Sequence, residues 1–411
     1  TPLLPVYGSE AVFSSYPLYM STAFDPNTAN KFVIIYRDST SSNDGTAIVG
    51  TVSGTSISFG SEYVFNSGIT DYDYIAFDPN TANKFVVVYK DGSNSGYGTS
   101  RVGTVSGTSI SFGSEVVFNS GSTTYTSISF DPNTANKFVV VYKDGGNSFY
   151  GTAIVGTISG TSLSFGSEYV FNAANTQFID TVFDPNNANK FVVSYQDYTN
   201  SSYGTAIVGT VSGTSISFGS EAVFNAASTE DTVLDFDPNT ANKFVVAYTD
   251  TANSEHGTAI VGTVSGTSIS FGSEVVFNSS ATYYQSIKFN PNTAGSFVVA
   301  YRDEGSGSGT SIVGTVSGTN ISFGSEVVFN SGTTNNIAAA FDPNTAGKFV
   351  VVYNDYLNSN RGTAIVSNLS TALTIGSNYY VQSDGAVSTV STSPAVNIGK
   401  AISATSLILK G

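Results

Sequence analysis

Two sets of side chains recur at fixed steps along the chain and have the chemistry to bind a ligand. The first, five residues before each Phe-Asp-Pro or its variant, holds Tyr19, Tyr72, Tyr125, Phe178, Asp231, Tyr284 and Asn336. The second, just before a recurring Gly, holds Asp44, Tyr97, Tyr150, Tyr203, His256, Ser308 and Arg361. Tyrosine joins a flat apolar face to a polar tip, which suits stacking on a sugar or anchoring a protein partner. Both sets fall in stretches that vary between copies, so binding is expected on Tyr72, Tyr125, Phe178, Tyr284, Tyr97, Tyr150, Tyr203, His256 and Arg361. Packing between repeats, or lining a channel mouth, is the alternative reading of the first set.

Bond-making chemistry has less support. His256 is the only histidine and Met20 the only methionine. A Ser-His-Asp arrangement would have to use His256, beside Glu255, and no Gly-x-Ser-x-Gly elbow accompanies it. The arginines, Arg37, Arg101, Arg302 and Arg361, lie at non-equivalent or distant repeat positions rather than clustered for a carboxylate. Glu230, Asp231 and Glu304 in the variable loops are the candidates for a glycosidase pair. No catalytic residue is assigned and no enzyme is expected. Asp38, Asp91, Asp144, Asp197, Asp250, Asp303 and Asp355 each precede a loop, but one carboxylate per loop falls short of the six to eight oxygens calcium takes. They read as Asx-turn caps, with no metal and no cofactor expected. Glu10, Glu62, Glu115 and their equivalents read as solvated charge on an outer strand.

The elements that position these residues come from one repeat. Phe77-Asp78-Pro79-Asn80-Thr81-Ala82-Asn83-Lys84-Phe85-Val86-Val87-Val88-Tyr89 has near-copies starting at Phe24, Phe130, Phe183, Phe236, Phe289 and Phe341, at steps of 53 residues and finally 52. Such a period marks a stacked or circular array. Within a copy, Tyr74–Phe77 leads into an Asp-Pro-Asn turn. Phe85–Tyr89, apolar without alternation, reads as a strand buried on both faces. A Gly/Ser/Asn loop follows, then a β-branched strand over Thr99–Val105 with Gly103 where a neighbour packs close. Ser106-Gly107 makes a hairpin turn. A fourth strand ends at Phe118, bulged near Gly113-Ser114.

Four antiparallel strands in seven copies predict an all-β fold: a seven-bladed β-propeller. The Phe-Gly-Ser-Glu motif of the fourth strand appears ahead of the first blade as Tyr7-Gly8-Ser9-Glu10. Residues 7–13 are therefore expected to pair with the third strand near Gly362 and close the ring. A degenerate copy at Ile375-Gly376-Ser377 is the alternative closing strand. Residues 1–366 are expected to form the propeller, and 367–411 a small C-terminal β module.

The 411 residues carry 15 basic and 30 acidic side chains, a net charge of −15, so nucleic acid is not an expected partner. Charged residues make up only 11%. The polarity comes from Ser, Thr, Asn and Gly, which suits a secreted or virion surface. The chain has no cysteine. No apolar run long enough to span a bilayer is visible, so membrane insertion is not expected.

The wording Lys-Phe-Val-Val-Val-Tyr-Lys-Asp over Lys84 to Asp91, followed by Tyr-Gly-Thr and Val-Gly-Thr-Val-Ser-Gly-Thr-Ser-Ile-Ser-Phe-Gly, resembles propeller repeats of predicted marine bacteriophage tail-fibre and other virion proteins. The tail, Ile375 to Gly385 with Ile398-Gly399-Lys400-Ala401, is similar to a small C-terminal module of such proteins. The resemblance implies a virion or extracellular setting and a structural, adhesive role. The partners expected are a host-surface glycan or receptor and other virion subunits. A subunit of an extracellular filament or surface layer binding its own copies is the alternative, and a polysaccharide-acting enzyme the third reading.

Overall fold

The apolar run of each repeat forms the element on which the others are laid. In the computed structural model, Lys84–Asp91 is a strand with Phe85, Val86, Val87, Val88 and Tyr89 all at 0% exposure. The structure describes the backbone of residues 3–371, 378–381, 387–388, 396–401 and 407–409. The protein is all-β and antiparallel. A single turn of 3-10 helix at Thr251–Asn253 is the only helical element among the described residues.

The ladder of the first repeat sets the pattern, with Pro17–Phe24, Lys31–Asp38, Asp44–Ser53 and Ser56–Asn66 paired in that order. Later repeats follow it with one difference from the sequence reading. The fourth strand of one repeat and the first strand of the next are continuous, as in Val116–Phe130 and the 22-residue Ser162–Phe183. One end of Ser162–Phe183 pairs with Tyr150–Ser159 and the other with Lys190–Asp197. Strands that run through in this way merge most repeats into one 23-stranded sheet.

Close contacts within and between repeats explain the glycines. A Cβ on Gly103 would lie 2.1 Å from the Phe85 ring, and one on Gly113 would lie 2.0 Å from the Thr161 carbonyl of the next repeat. The Asp-Pro-Asn turns also join neighbours. Asp25 Oδ1 accepts from the Asn27 N–H (2.9 Å) within its turn, and Oδ2 accepts from the Asn83 N–H (3.1 Å) of the following turn. Asn80 Nδ2 donates to the Pro132 carbonyl (3.3 Å) in the same forward direction. Their near-identity therefore reflects a turn that must fit its neighbour as well as its own strands.

The outer-strand glutamates are exposed, as expected, and each also accepts a bond from the core. Tyr36 donates to Glu62 (2.5 Å), Tyr142 to Glu168 (2.6 Å), Tyr195 to Glu221 (2.7 Å) and Tyr301 to Glu326 (2.6 Å). Each tyrosine ring is fully buried at the end of a second strand, and its hydroxyl needs a partner.

Leu3–Ser14 pairs antiparallel with Arg361–Thr371, from Leu3↔Thr371 to Ser14↔Gly362. That strand runs on past Val366. Tyr353 donates to Glu10 (2.8 Å), the same pairing made within single repeats elsewhere. Across the same joint, Asn344 Nδ2 donates to the Pro26 carbonyl (3.1 Å) and the Asn30 N–H to Asp342 Oδ2 (2.9 Å). First strands of all seven repeats line one cavity of about 410 Å³. Asn378–Val381, Val387–Ser388, Val396–Ala401 and Leu407–Leu409 form a separate four-stranded antiparallel sheet. Ile375-Gly376-Ser377 and the turn at Ser383-Asp384-Gly385 lie outside the described residues.

Candidate functional site

Every first strand is broken near its start by a register shift, as between Asp71/Tyr74 and Gln177/Asp180. The residue at that bulge is the first variable position. Tyr19, Tyr72, Tyr125, Phe178, Asp231, Tyr284 and Asn336 all sit at φ between 47° and 55°. A bulky side chain rarely adopts this left-handed backbone, at a cost of about 1–3 kcal/mol each. Neighbouring repeats hold it in place. Thr232 Oγ1 donates to the Phe178 carbonyl (2.6 Å), and Thr126 makes the same bond to Tyr72. The Tyr284 N–H donates to Asp231 Oδ2 (3.2 Å).

These backbones bring four aromatic rings into one arc. Ring centroids are 5.5 Å apart for Tyr19–Tyr72, 5.4 Å for Tyr72–Tyr125 and 5.4 Å for Tyr125–Phe178, all tilted. Asp231, Tyr284 and Asn336 occupy the equivalent positions of the remaining repeats. The arc lies where the first strands begin and the second strands finish. It is partly open to solvent: Tyr19 is 37% and Tyr284 40% exposed. Burial is the first cause raising the Tyr19, Tyr72 and Tyr125 phenols, the last to about 12.

A second ring was missed from sequence. The residue before the terminal Asp of each second strand pairs with the residue just ahead of the bulge, as in Asp71↔Lys90 and Tyr283↔Arg302. Four of these positions are basic. Arg37 lies 4.9 Å over the Tyr19 ring, Lys90 6.0 Å over Tyr72, Lys143 5.7 Å over Tyr125 and Arg302 5.3 Å over Tyr284. Such cation–aromatic contacts are worth about 0.5–1 kcal/mol each at exposed sites. Arg37 and Arg302 hold the same repeat position, in the first and sixth repeats. Arg37 is ion-paired with Asp71 and Arg302 with Glu304. Aligning this one column across the repeats would have revealed the ring.

The second variable set lies further out. Tyr97, Tyr150, Tyr203 and His256 open the third strands, opposite Asp91, Asp144, Asp197 and Asp250. They are half-buried, and no aromatic contact joins Tyr97, Tyr150 and Tyr203 to one another or to the arc. Arg361 is exposed beside a cleft of about 320 Å³ that it shares with Asp38 and Glu62. Further exposed apolar side chains stand on the same loops: Phe149, Tyr198, Tyr356 and Leu357.

Several acidic groups on this face are committed to local bonds. Asp91 Oδ1 accepts from the Ser93 N–H (3.0 Å) and Asp144 Oδ1 from the Gly146 N–H (2.8 Å), as Asx caps do. Tyr283 donates to Glu255 (2.7 Å), a bond that holds the phenol up at about 12. Glu255 therefore faces Tyr283 rather than completing a triad with His256. Burial raises Asp231 to about 6, with Glu230 adding to it. Among the described residues, no group of three or more His, Cys, Asp or Glu is placed to hold a metal. Such an arrangement offers stacking, cationic and neutral hydrogen-bonding contacts.

No family model and no curated protein sequence matches the chain. Solved structures of similar fold do exist. The BP39L lectin from Burkholderia pseudomallei aligns with a TM-score of 0.64 at 10% identity, covering 87% of this chain and 98% of the lectin. Sqt1 from Chaetomium thermophilum, bound to the N-terminus of the ribosomal protein L10, aligns with a TM-score of 0.55 at 12% identity, covering 88% and 98%. Sqt1 from Saccharomyces cerevisiae aligns at 0.53 and 10%, covering 86% of each. At these identities the likeness establishes a propeller-like fold.

Proposed function

We propose that the chain is a non-enzymatic binding protein, a closed seven-bladed β-propeller whose variable-loop face recognises a glycan or glycan-bearing receptor. Ring closure is supported by the joint between Leu3–Ser14 and Arg361–Thr371, which repeats the Tyr–Glu and turn-to-turn bonds of the other joints. The observation that carries the binding reading is the arc Tyr19–Tyr72–Tyr125–Phe178. Its rings are held at strained backbone positions and left partly open to solvent. Residues strained in this way cluster at binding and active sites, held there by the surrounding structure. Tyr97, Tyr150, Tyr203, His256 and Arg361 would form the outer rim. That one neighbour of similar fold is a lectin and another a protein bound to a peptide segment agrees with binding as the task. The repeat wording supports a virion or tail-appendage setting, outside the cell, facing a host surface.

The test is binding of the full chain to an immobilised oligosaccharide panel, followed by calorimetry on the best ligand. Tyr19→Asn with Tyr72→Asn is expected to weaken binding by roughly 30-fold or more, the scale of about 2 kcal/mol at an anchor residue. Charge reversal of Lys31, Lys84 and Lys137 on the opposite end is expected to matter less. No binding to any panel member by the wild-type chain would refute the reading.

The alternative, lateral association of copies in a filament, is favoured by one observation. Val12, Val64, Val117, Val170, Val223, Val276 and Val328 occupy the same outer-strand position and are all 41–53% exposed. Concentration-dependent polymers in sedimentation, lost when Val170 and Val223 become Lys, would support it.

A further inference from the structure

Phe149 is out of place among its equivalents. The position two residues before each third-strand Gly has positive φ throughout, and holds Asn43, Gly96, Phe149, Ser202, Glu255, Gly307 and Asn360. Glycine and asparagine adopt that backbone readily, and a benzyl side chain does not. Phe149 takes it at φ 64° while 51% exposed, so burial does not account for the choice. Its ring lies 5.0 Å from Lys143 Nζ, and the Tyr125 ring lies 5.7 Å from the same atom.

Lys143 is the exception in the basic ring. Arg37 and Arg302 are ion-paired, and Lys90 lies 3.9 Å from Asp71. Lys143 has no hydrogen bond and no acidic partner within ion-pair distance among the described residues. The acid beside it in sequence, Asp144, is buried and accepts from Asn119 Nδ2 (3.1 Å) and the Gly146 N–H. Burial lowers the Lys143 pKa, as it does for an ammonium lacking a counter-charge. Gly145 and Gly146 open the adjoining loop with no side chains, while Ser122 beside Gly145, Asn147 in the loop and Gln177 beside Tyr125 supply neutral hydrogen-bonding groups.

We propose that Lys143, between Phe149 and Tyr125, is a subsite for an anionic saccharide unit bearing a carboxylate or a sulfate ester. The ammonium supplies charge-assisted hydrogen bonds to the anion. The exposed Phe149 face takes the C–H face of the sugar ring, and the Ser, Asn and Gln side chains meet its hydroxyls. The proposal rests on the saccharide-binding reading of this face and adds the charge of the ligand.

The full chain is titrated with neutral, uronate-bearing, sialate-bearing and sulfated oligosaccharides. At least one anionic class is expected to bind about tenfold more tightly than its neutral counterpart, and which class does so separates carboxylate from sulfate. Lys143→Met is expected to bring the anionic-to-neutral ratio to about one without changing the circular-dichroism spectrum, and Lys143→Arg to keep most of the preference. Neutral ligands binding as tightly as anionic ones to the wild-type chain would overturn the subsite and leave the binding face standing. A preference that survives Lys143→Met would do the same. Failure of every saccharide to bind would remove both.

Discussion

Replacing Phe13 by Ala tests whether the N-terminal strand is a structural part of the ring. Phe13 ends Leu3–Ser14, is 7% exposed, and packs on Tyr36 and Phe59 at centroid distances of 5.4 and 5.7 Å. Its equivalent inside the array, Phe171, is 6% exposed and packs on Tyr195 and Phe218 at 5.2 and 5.9 Å. Truncating a buried Phe costs about 3–5 kcal/mol. An unfolding entropy of about 2.1 cal/mol/K per residue, over a cooperative unit of roughly 370 residues, gives ~0.8 kcal/mol/K. Each substitution should therefore lower Tm by about 4–6 °C. The pair is measured by thermal unfolding followed by circular dichroism, with Phe171→Ala as internal reference. If Phe13→Ala leaves Tm within about 1 °C of wild type while Phe171→Ala lowers it, the strand does not hold the ring and the reasoning fails.

Tyr72→Asn puts into the second repeat the residue type that Asn336 supplies at the same backbone position in the seventh. Lost aromatic contacts of about 0.5–1.5 kcal/mol each oppose relieved strain of about 1–3 kcal/mol, so Tm should move by less than about 3 °C while ligand affinity falls. Gly209→Ala should destabilise strongly, because its Cβ would lie 2.1 Å from the Phe191 ring; Gly107→Asn, at a turn with nothing within 4 Å, should be tolerated, and paired melts compare them. Asp231 has a folded pKa of about 6, above the ordinary carboxylate value, so the folded state binds its proton more tightly than the unfolded chain. The stability it contributes is present at low pH and is lost as pH rises from about 4 through 6; Asp231→Asn should flatten that part of the Tm-against-pH curve.

Much of the fold was legible because single residues encode it locally. Phe85 to Tyr89 lacks alternation, and the strand it forms is buried on both faces. Tyr7-Gly8-Ser9-Glu10 copies the outer-strand motif, and that segment pairs with Arg361–Thr371 as expected. The aromatic positions of the arc were legible as a column, with packing between repeats as one reading of them, but their backbone conformation was not. Nothing in a tyrosine announces a left-handed backbone, which arises only when the first strand shifts register against the second. Hydroxyl-to-carboxylate pairs such as Tyr89–Glu115 lie two strands apart and read as a core residue and a surface charge. The unusual pair Lys143 and Phe149 was open to inspection, since each departs from its own column, but their meeting depends on how the loop folds back.

The joints between repeats are nearly interchangeable. Asp25 receives Asn83 in the way Asp342 receives Asn30, and Asn27, Asn80, Asn133 and Asn239 each donate to the next proline carbonyl. A surface that fits its true neighbour fits every other copy as well. During folding, a repeat that skipped its neighbour would find a complementary edge one unit too far along, and two chains could exchange repeats with little loss of contact. Order along the array must then come from the continuous strands such as Ser162–Phe183, which carry an outer strand directly into the next inner one and leave no slack for a skip. Slow refolding with concentration-dependent intertwined dimers is the failure expected of such a chain, and a few inserted residues near Asn175 would make it more frequent.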